Sequence, residues 1–588
     1  MEEKQLTGYP SIDKPWLKNW PAFLLEGRKN YDRIIDNIRD VWTDPDETII
    51  NFYDTQITAK EFFDRVCKVA KSLHASGVKE GDSIAVSLES VPEFMELFLA
   101  CELLGCSVKS FLEIGMDNVE LISTCSADIY FTKDYISGED VEQVYSKTHV
   151  QRIVLIDPMY SAANKEGFRP HIHAAIKERY LGKTPSFDVR NMQWHEFLKI
   201  GERIEMLPAP QKGNVLYSAF TSGTTGKRKE VMHTSESTLG VIRQIALLPP
   251  HEKPRPKWML AILPPTLVAA IAAAMCYPLI AGKQLILDPF CRVEDLDLEL
   301  MHFKPNGWAM IPYFLEALLD SKRIPDDYDL SHWVQFGVGA EPLTIKLAQK
   351  VQAFFEKHNC KAELCNSYGM SEAGSGCTIA VGKDLVMTGT SGIPYIETIM
   401  SIFEPGTSKE LKYGEVGEIC KAGPGLMKGY ADPELTEKTL KLHPDGQIWL
   451  HTGDFGFMTE HGLLFPLGRN VIHIYPDKVV FPLSIEEKVL RNKAVKDAII
   501  ISGNDAEHEG FENLYLFVVP EAGYSEKTVK LELDKHIKNI LLPEESPAQV
   551  FVLDKKPIRG FKTDRKYLKE QFVSRIEMEE NHKKVTVY

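Results

Sequence analysis

Apolar positions along the chain fall into short runs separated by stretches with helical spacing. Ile84 to Leu88 reads as a buried strand, and the segment Phe94 to Leu104 (FMELFLACELL) behind it repeats its apolar residues at helical intervals. Arg152 to Asp157, Trp258 to Leu263 and Gln284 to Leu287 are again strand-like, and Thr344 to Phe355 is helix-like. Short strands that are apolar throughout and alternate with helices predict parallel, doubly wound sheets covered on both faces. From about Met400 to Lys421 polar residues interrupt the strands, which predicts antiparallel or barrel-like structure. Beyond Arg469 the order changes: a helix over Ser484 to Arg491, strands at Ala498 to Ile501 and Leu514 to Val519, a helix over Thr528 to Leu541, and a strand at Val550 to Leu553. The reading is α/β. A large N-terminal domain over 1–467 holds two doubly wound sheets and a β-barrel-like subdomain. A hinge at 468–471 leads to a small, mobile α+β domain over 472–588.

Composition narrows the function more than the fold. Asp and Glu number 83 against 68 for Lys and Arg, a net charge of -15, and an acidic surface repels phosphate backbones. This argues against nucleic acid as a partner, but not against a local cationic pocket for a small phosphorylated ligand. The ten cysteines form no C-x-x-C pair and no Cys/His cluster at zinc spacing, as expected of reduced thiols in a cytoplasmic protein. Met1 to Pro10 is polar and lacks a signal-peptide core. Ala261 to Gly282 carries no charge and is long enough to cross a bilayer, yet Pro264, Pro265 and Pro278 interrupt it and Ala dominates it. It reads as a buried strand end and a buried helix, with no membrane span.

The most informative segment is Tyr217 to His233 (YSAFTSGTTGKRKEVMH). Thr221, Ser222, Gly223, Thr224, Thr225 and Gly226 follow the apolar run Val215 to Tyr217 directly. Small hydroxyl residues and glycines at such a turn can surround phosphate oxygens with N–H and O–H donors, and Lys227 and Lys229 add positive charge. A flexible linker has similar composition, but rarely follows a buried strand so abruptly or ends in a basic pair. A P-loop of the form G-x-x-x-x-G-K-[ST] fails on spacing, because only two residues separate Gly223 from Gly226 and Arg228 stands at the Ser/Thr position.

This loop resembles that of the adenylate-forming superfamily, which includes acyl- and aryl-CoA synthetases, with Arg228 and Glu230 replacing the usual Pro and Gly. Further segments resemble that family's motifs in the same order. They are Gly337 to Pro342 (GVGAEP), Asn366 to Glu372 (NSYGMSE), Thr452 to Asp454 (TGD), Gly468 with Arg469, and Pro557 to Arg565 (PIRGFKTDR). In the last, Phe561 stands where the family has glycine. The resemblance implies ATP-dependent activation of a carboxylic acid: the carboxylate attacks the α-phosphate, pyrophosphate leaves, and an acyl-adenylate remains. It implies ATP, Mg2+ and coenzyme A as cofactors. Thr221 to Lys229 would grip phosphates. Gly339, Ala340 and Glu341, with Asn366, Ser367, Tyr368, Gly369 and Met370, would frame adenine. Asp454 would fix the ribose beside Arg469, and Glu372, next to Ser371, would hold Mg2+. Lys562 would bridge the substrate carboxylate and the α-phosphate as the catalytic lysine.

The acid and the acceptor are read from departures and gaps. The segment PPTLVAAIAAAM after Trp258 to Leu263 has small apolar side chains, and no acidic residue lies between Ala261 and Ile286 to pair an α-ammonium. A fatty or other apolar acid is therefore expected, with an aryl acid second; Trp308, Met310 and Phe314 can line its pocket or simply be core. Val471 replaces the usual Asp or Lys of the hinge, and Pro476 or Asp477 the glycine of the thiol tunnel, so the first half-reaction is better supported than the second. Free coenzyme A is the default acceptor, and a separate acyl or peptidyl carrier protein the alternative. A degenerate nucleotide-binding relative is the non-enzyme alternative; oligomeric state is left open.

Overall fold

A computed structural model describes residues 6–20, 32–111, 116–165, 167–180, 188–222, 228–245, 255–469, 471–475, 478–505 and 507–577. The expected strands and helices form close to their predicted places, including Ser83–Ser87, Pro92–Leu104, Arg152–Ile156, Lys257–Ala261 and Ile345–Lys357. Among the described residues they build two large sheets. One is nine-stranded, in the spatial order Ile393–Pro394, Thr378–Val381, Cys365–Asn366, Gln335–Val338, Gly307–Met310, Lys257–Ala261, Gln284–Asp288, Thr48–Phe52, Thr55–Thr58. Its run from Cys365–Asn366 to Thr48–Phe52 is parallel. The other is eight-stranded, with Ser83–Ser87, Ser107–Ser110, Ile129–Lys133 and Arg152–Ile156 parallel at its centre. Parallel strands point their carboxyl ends to one side, where loops of independent sequence meet.

Helix Pro92–Leu104 is buried along its whole length, which explains its apolar residues on every side. Its Glu102 is not stranded there, because the carboxylate accepts from the backbone of Ile34 at 2.6 Å and Ile35 at 2.9 Å. The uncharged stretch Ala261 to Gly282 forms the end of strand Lys257–Ala261, then a wide π-helical segment Ala270–Cys276 continued by Tyr277–Ile280. Among the described residues no helix is long and apolar enough to cross a membrane.

Where barrel-like structure is expected, Ile399–Phe403, Gly417–Ala422, Leu440–Leu442, Ile448–Met458 and Leu464–Gly468 form an antiparallel five-stranded sheet. The smaller C-terminal domain pairs Val495–Asn504, Glu512–Pro520 and Gln549–Val552, with helices Pro482–Leu490 and Glu526–Ile540 over apolar clusters of its own. It meets the large domain through charge: Lys556 with Glu316 at 2.7 Å, Lys496 with Asp320 at 3.1 Å, and Lys350 with Glu521 at 2.9 Å.

Candidate active site

The candidate residues gather where the nine-stranded sheet, the five-stranded sheet and the C-terminal domain meet. Strand Gln335–Val338 ends in the turn Gly339 to Pro342, and Ala340 there takes a left-handed φ of 69°, a conformation that costs an L-residue about 1–2 kcal/mol. The turn aims Glu341 at the C-terminal domain, where its Oε1 accepts from the backbone N–H of Thr563 at 2.9 Å. Thr563 belongs to a two-residue hairpin, Ile558–Arg559 with Lys562–Thr563, so this bond sets Lys562 beside the turn. Glu341, Arg469 and Lys562 line a cleft of about 1100 Å³ between the domains. Lys562 is exposed within that cleft. The protein crowding it nevertheless lowers its pKa by desolvation, with the Arg469 cation adding to the effect and Glu341 opposing it.

Behind the cleft runs a hydrogen-bonded chain. Arg469 Nε donates to Asp454 Oδ1 at 2.9 Å, and the Tyr368 hydroxyl donates to Asp454 Oδ2 at 2.8 Å. Asp454 follows Gly453, φ 71°, in a bulge that bends the long strand Ile448–Met458. That bend is held from below by Glu418, whose Oε1 accepts from Gly453 N at 3.1 Å and whose Oε2 accepts from His451 Nδ1 at 2.8 Å. Burial works to raise the Glu418 pKa, but the bonds from His451, Gly406 and Gly453 hold it below the usual carboxylate range. Glu418 and His451 were not singled out in the sequence; the pair became visible only when two distant strands were aligned.

A second chain centres on Glu372, which is buried in the turn of the hairpin formed by Gly369–Met370 and Ser375–Gly376. The Tyr430 hydroxyl donates to Glu372 Oε1 at 2.7 Å, and the Lys229 ammonium lies 5.5 Å from the Tyr430 ring centre. Tyr430 is a further residue the sequence reading missed; its only local signal is the pair Gly429–Tyr430 before a helix start. Ser371 offers its carbonyl to His233 Nε2 at 2.8 Å, which calls for a proton on Nε2, the Ser237 hydroxyl meets Nδ1 at 3.1 Å, and burial lowers the pKa of the ring to about 4. Asn366 and Ser367 spend their side chains on the carbonyls of Thr390 and Thr378 and therefore present backbone to the site.

Thr221 lies in strand Val215–Ser222, paired antiparallel with Arg228–Thr234, Thr221 opposite Lys229. The strands on either side of the loop are thus antiparallel partners, a hairpin pair. Gly223, Thr224, Thr225, Gly226 and Lys227 lie outside the described residues, as do the Ser222 side chain and the expected tunnel residues Pro476 and Asp477. Glu230, a departure from the expected glycine, pairs with Lys109 at 2.9 Å, both nearly buried, and ties the hairpin to the neighbouring strand. Phe561, the other departure, puts its ring 5.4 Å from that of buried Phe314 in an edge-on contact. Of the expected pocket residues, Trp308, Met310 and Phe314 are all core, and Trp308 faces Trp333. Strand alternation turns Ala309 to the other face instead.

The family model described as AMP-binding enzyme matches residues 39–431, more than half of the chain. A long-chain-fatty-acid–CoA ligase of Bacillus subtilis (strain 168) is 26% identical over 557 residues, 91% of this chain and 93% of that one. The 4-coumarate–CoA ligase 2 of Petroselinum crispum is 28% identical over 502 residues, covering 83% and 84%. Among solved structures, the O-succinylbenzoate coenzyme A synthetase of Bacillus subtilis in complex with ATP and magnesium ion superposes with a TM-score of 0.69 at 21% identity. The match covers 91% of this chain and 99% of that one, a likeness of fold.

Proposed function

The chain belongs to the AMP-binding enzyme family, and on that premise we propose that it joins a carboxylic acid to a thiol in two steps driven by ATP. In the first, a carboxylate oxygen attacks the α-phosphorus, the bond to the β-phosphate oxygen breaks, and pyrophosphate leaves an acyl-adenylate. In the second, a thiol sulfur attacks the acyl carbon and AMP leaves, with coenzyme A the default thiol and a carrier protein the alternative. Charge accumulates on the phosphorus oxygens in the first transition state, so positioned cations carry most of the catalysis. Lys562 is the group assigned to bridge the two reacting anions. Arg469 holds Asp454 toward the ribose, Tyr368 orients that carboxylate from the other side, and Glu418 fixes the bend beneath it.

The carboxylate of Glu372 suits a hard divalent cation: Tyr430 engages Oε1 and leaves Oε2 as an oxygen ligand. Bound there, Mg2+ would offset phosphate charge. The middle of the acid is apolar in this reading, since the helix after Trp258 to Leu263 offers Ala side chains and no carboxylate. The segment 468–471 is assigned as the hinge on which the C-terminal domain turns between steps, with Val471 at its end.

The observation that carries the proposal is the Glu341–Thr563 bond, which brings Lys562 to the cleft edge where Arg469 and Asp454 already stand. Purified protein is incubated with ATP, Mg2+ and a panel of carboxylic acids, with and without coenzyme A, and products are followed by mass spectrometry. Acyl-CoA formation supports the full reaction. Acyl-AMP that accumulates despite coenzyme A points to the carrier-protein acceptor, and no adenylate from any acid overturns the proposal.

A further inference from the structure

Beside the reacting end lies a slot whose inner end the chemistry above does not use. Its floor is the sheet face carrying Ala309 and Gly337, which are partners in register, with Gly307 and Gln335 two residues earlier. Gly337 is exposed although its strand is central, and a Cβ there would meet nothing within 4 Å, which marks open space above it. The opposite wall is the helix in which Ala269, Ala273 and Tyr277 follow at four-residue spacing. Exposure falls along both walls. Ala269 is exposed, Ala273 half-buried and Tyr277 buried; Gly337 is exposed and Gln335 half-buried. The walls meet where Gln335 Nε2 donates to the Tyr277 hydroxyl at 3.0 Å.

Directly behind this closure sits Lys283, 3% exposed. Its ammonium donates to the Tyr277 hydroxyl at 2.9 Å and to Gln335 Oε1, between the rings of Trp258 at 4.6 Å and Tyr277 at 4.8 Å. Among the described residues no carboxylate pairs with it, and burial alone lowers its pKa to about 7. Trp258 adds a buried indole N–H without an acceptor. The closed end therefore has hydrogen-bond donors in excess, and charging this buried amine without a counter-charge is costly. A merely apolar pocket floor would be better built from methionine.

We infer that the enzyme selects acids whose far end carries a hydrogen-bond-accepting oxygen, a second carboxylate or a hydroxyl, received by Gln335 and Tyr277 with Lys283 one hydrogen bond behind. The inference rests on the acid-activating reading above and names the far end of the same substrate. The acid's middle lies against Ala269, Ala273, Ala309 and Gly337, and its reacting carboxylate stays at the mouth.

The test is acid-dependent ATP–pyrophosphate exchange by the full chain with octanoic acid, its terminal-hydroxy derivative and octanedioic acid. The wild type should favour an oxygen-bearing acid over octanoic acid by at least about tenfold in kcat/KM, carried mainly by KM. Lys283→Met, which keeps the volume, should erase that preference and retain exchange with octanoic acid. Gln335→Leu should do the same if Lys283→Met fails to fold. Preference for octanoic acid by the wild type, or an unchanged preference in folded Lys283→Met, overturns the inference and leaves the parent reading standing. Exchange with none of these acids, nor with the wider panel, overturns both.

Discussion

Phe561 stands beside Lys562 where a glycine is expected, and its ring crosses to the large domain to meet Phe314, 5.4 Å centre to centre and nearly perpendicular. Removing it should detach the lysine hairpin without opening either core. An aromatic pair contributes about 0.5–1.5 kcal/mol beyond area burial, and the half-buried ring adds about 1 kcal/mol of apolar contact. Phe561→Ala therefore lowers the docking free energy by about 2 kcal/mol, close to a 30-fold fall in the docked-to-undocked ratio. The Glu341–Thr563 bond remains as the weaker attachment. Pyrophosphate release with a good acid should slow by about ten- to thirtyfold, Phe561→Leu should recover part of it, and the melting temperature should stay within a degree or two. Thiol transfer from supplied acyl-adenylate should not slow, because that step does not need Lys562 docked. Unchanged pyrophosphate release, or equal slowing of both half-reactions, would refute the reasoning.

Lys562→Ala should cut adenylate formation by about 10²–10³ with an unchanged fold, as its side chain is exposed; normal pyrophosphate release would remove it from the mechanism. Tyr430→Phe loses the 2.7 Å bond to Glu372, and hydrogen bonds to charged groups contribute about 1.5–3 kcal/mol. At least a tenfold loss of activity and a raised Mg2+ requirement are expected in a Mg2+ titration. His233 is held neutral by burial, against the bond to the Ser371 carbonyl, with its pKa lowered to about 4 from 6.5. Between those values the unfolded chain binds a proton that the folded chain refuses, so unfolding free energy should fall by about 3 kcal/mol as pH drops from 6.5 to 4. Urea titrations of His233→Gln should show a shallower pH slope; an identical slope would contradict the assignment.

Contiguous signals were legible before the structure. TGD, NSYGMSE and GAEP each place their polar atoms through a single turn, so a short segment carries the information, and buried strands betray themselves by unbroken apolar runs. What stayed hidden depends on residues far apart in sequence. Tyr430 reaches Glu372 across 58 positions, and Glu418 supports Gly453 across 35. Glu230 looked like a flaw in a phosphate loop until Lys109, 121 residues earlier, was found opposite it. Trp308 and Met310 were left open between pocket and core because strand alternation, which puts them on the face opposite to Ala309, cannot be phased without the register.

The charged seam between the domains has a consequence for turnover. Lys350, Lys496 and Asp320 remain substantially open to water while paired, and the apolar contacts across the seam include Phe561 on Phe314 and Phe481 near Phe455. Parting the exposed pairs exchanges one partner for hydration at small net cost, whereas Lys556 with Glu316, 15% and 20% exposed, is the firmer point of attachment. If the small domain leaves its seat by turning on the 468–471 hinge as proposed, its vacated face offers other chains little apolar surface to stick to. Ionic strength sets the tightness of that seat, since the screening length shrinks from about 8 Å at physiological salt to about 3 Å at 1 M. The seam behaves as a water-lubricated bearing whose friction the surrounding electrolyte adjusts.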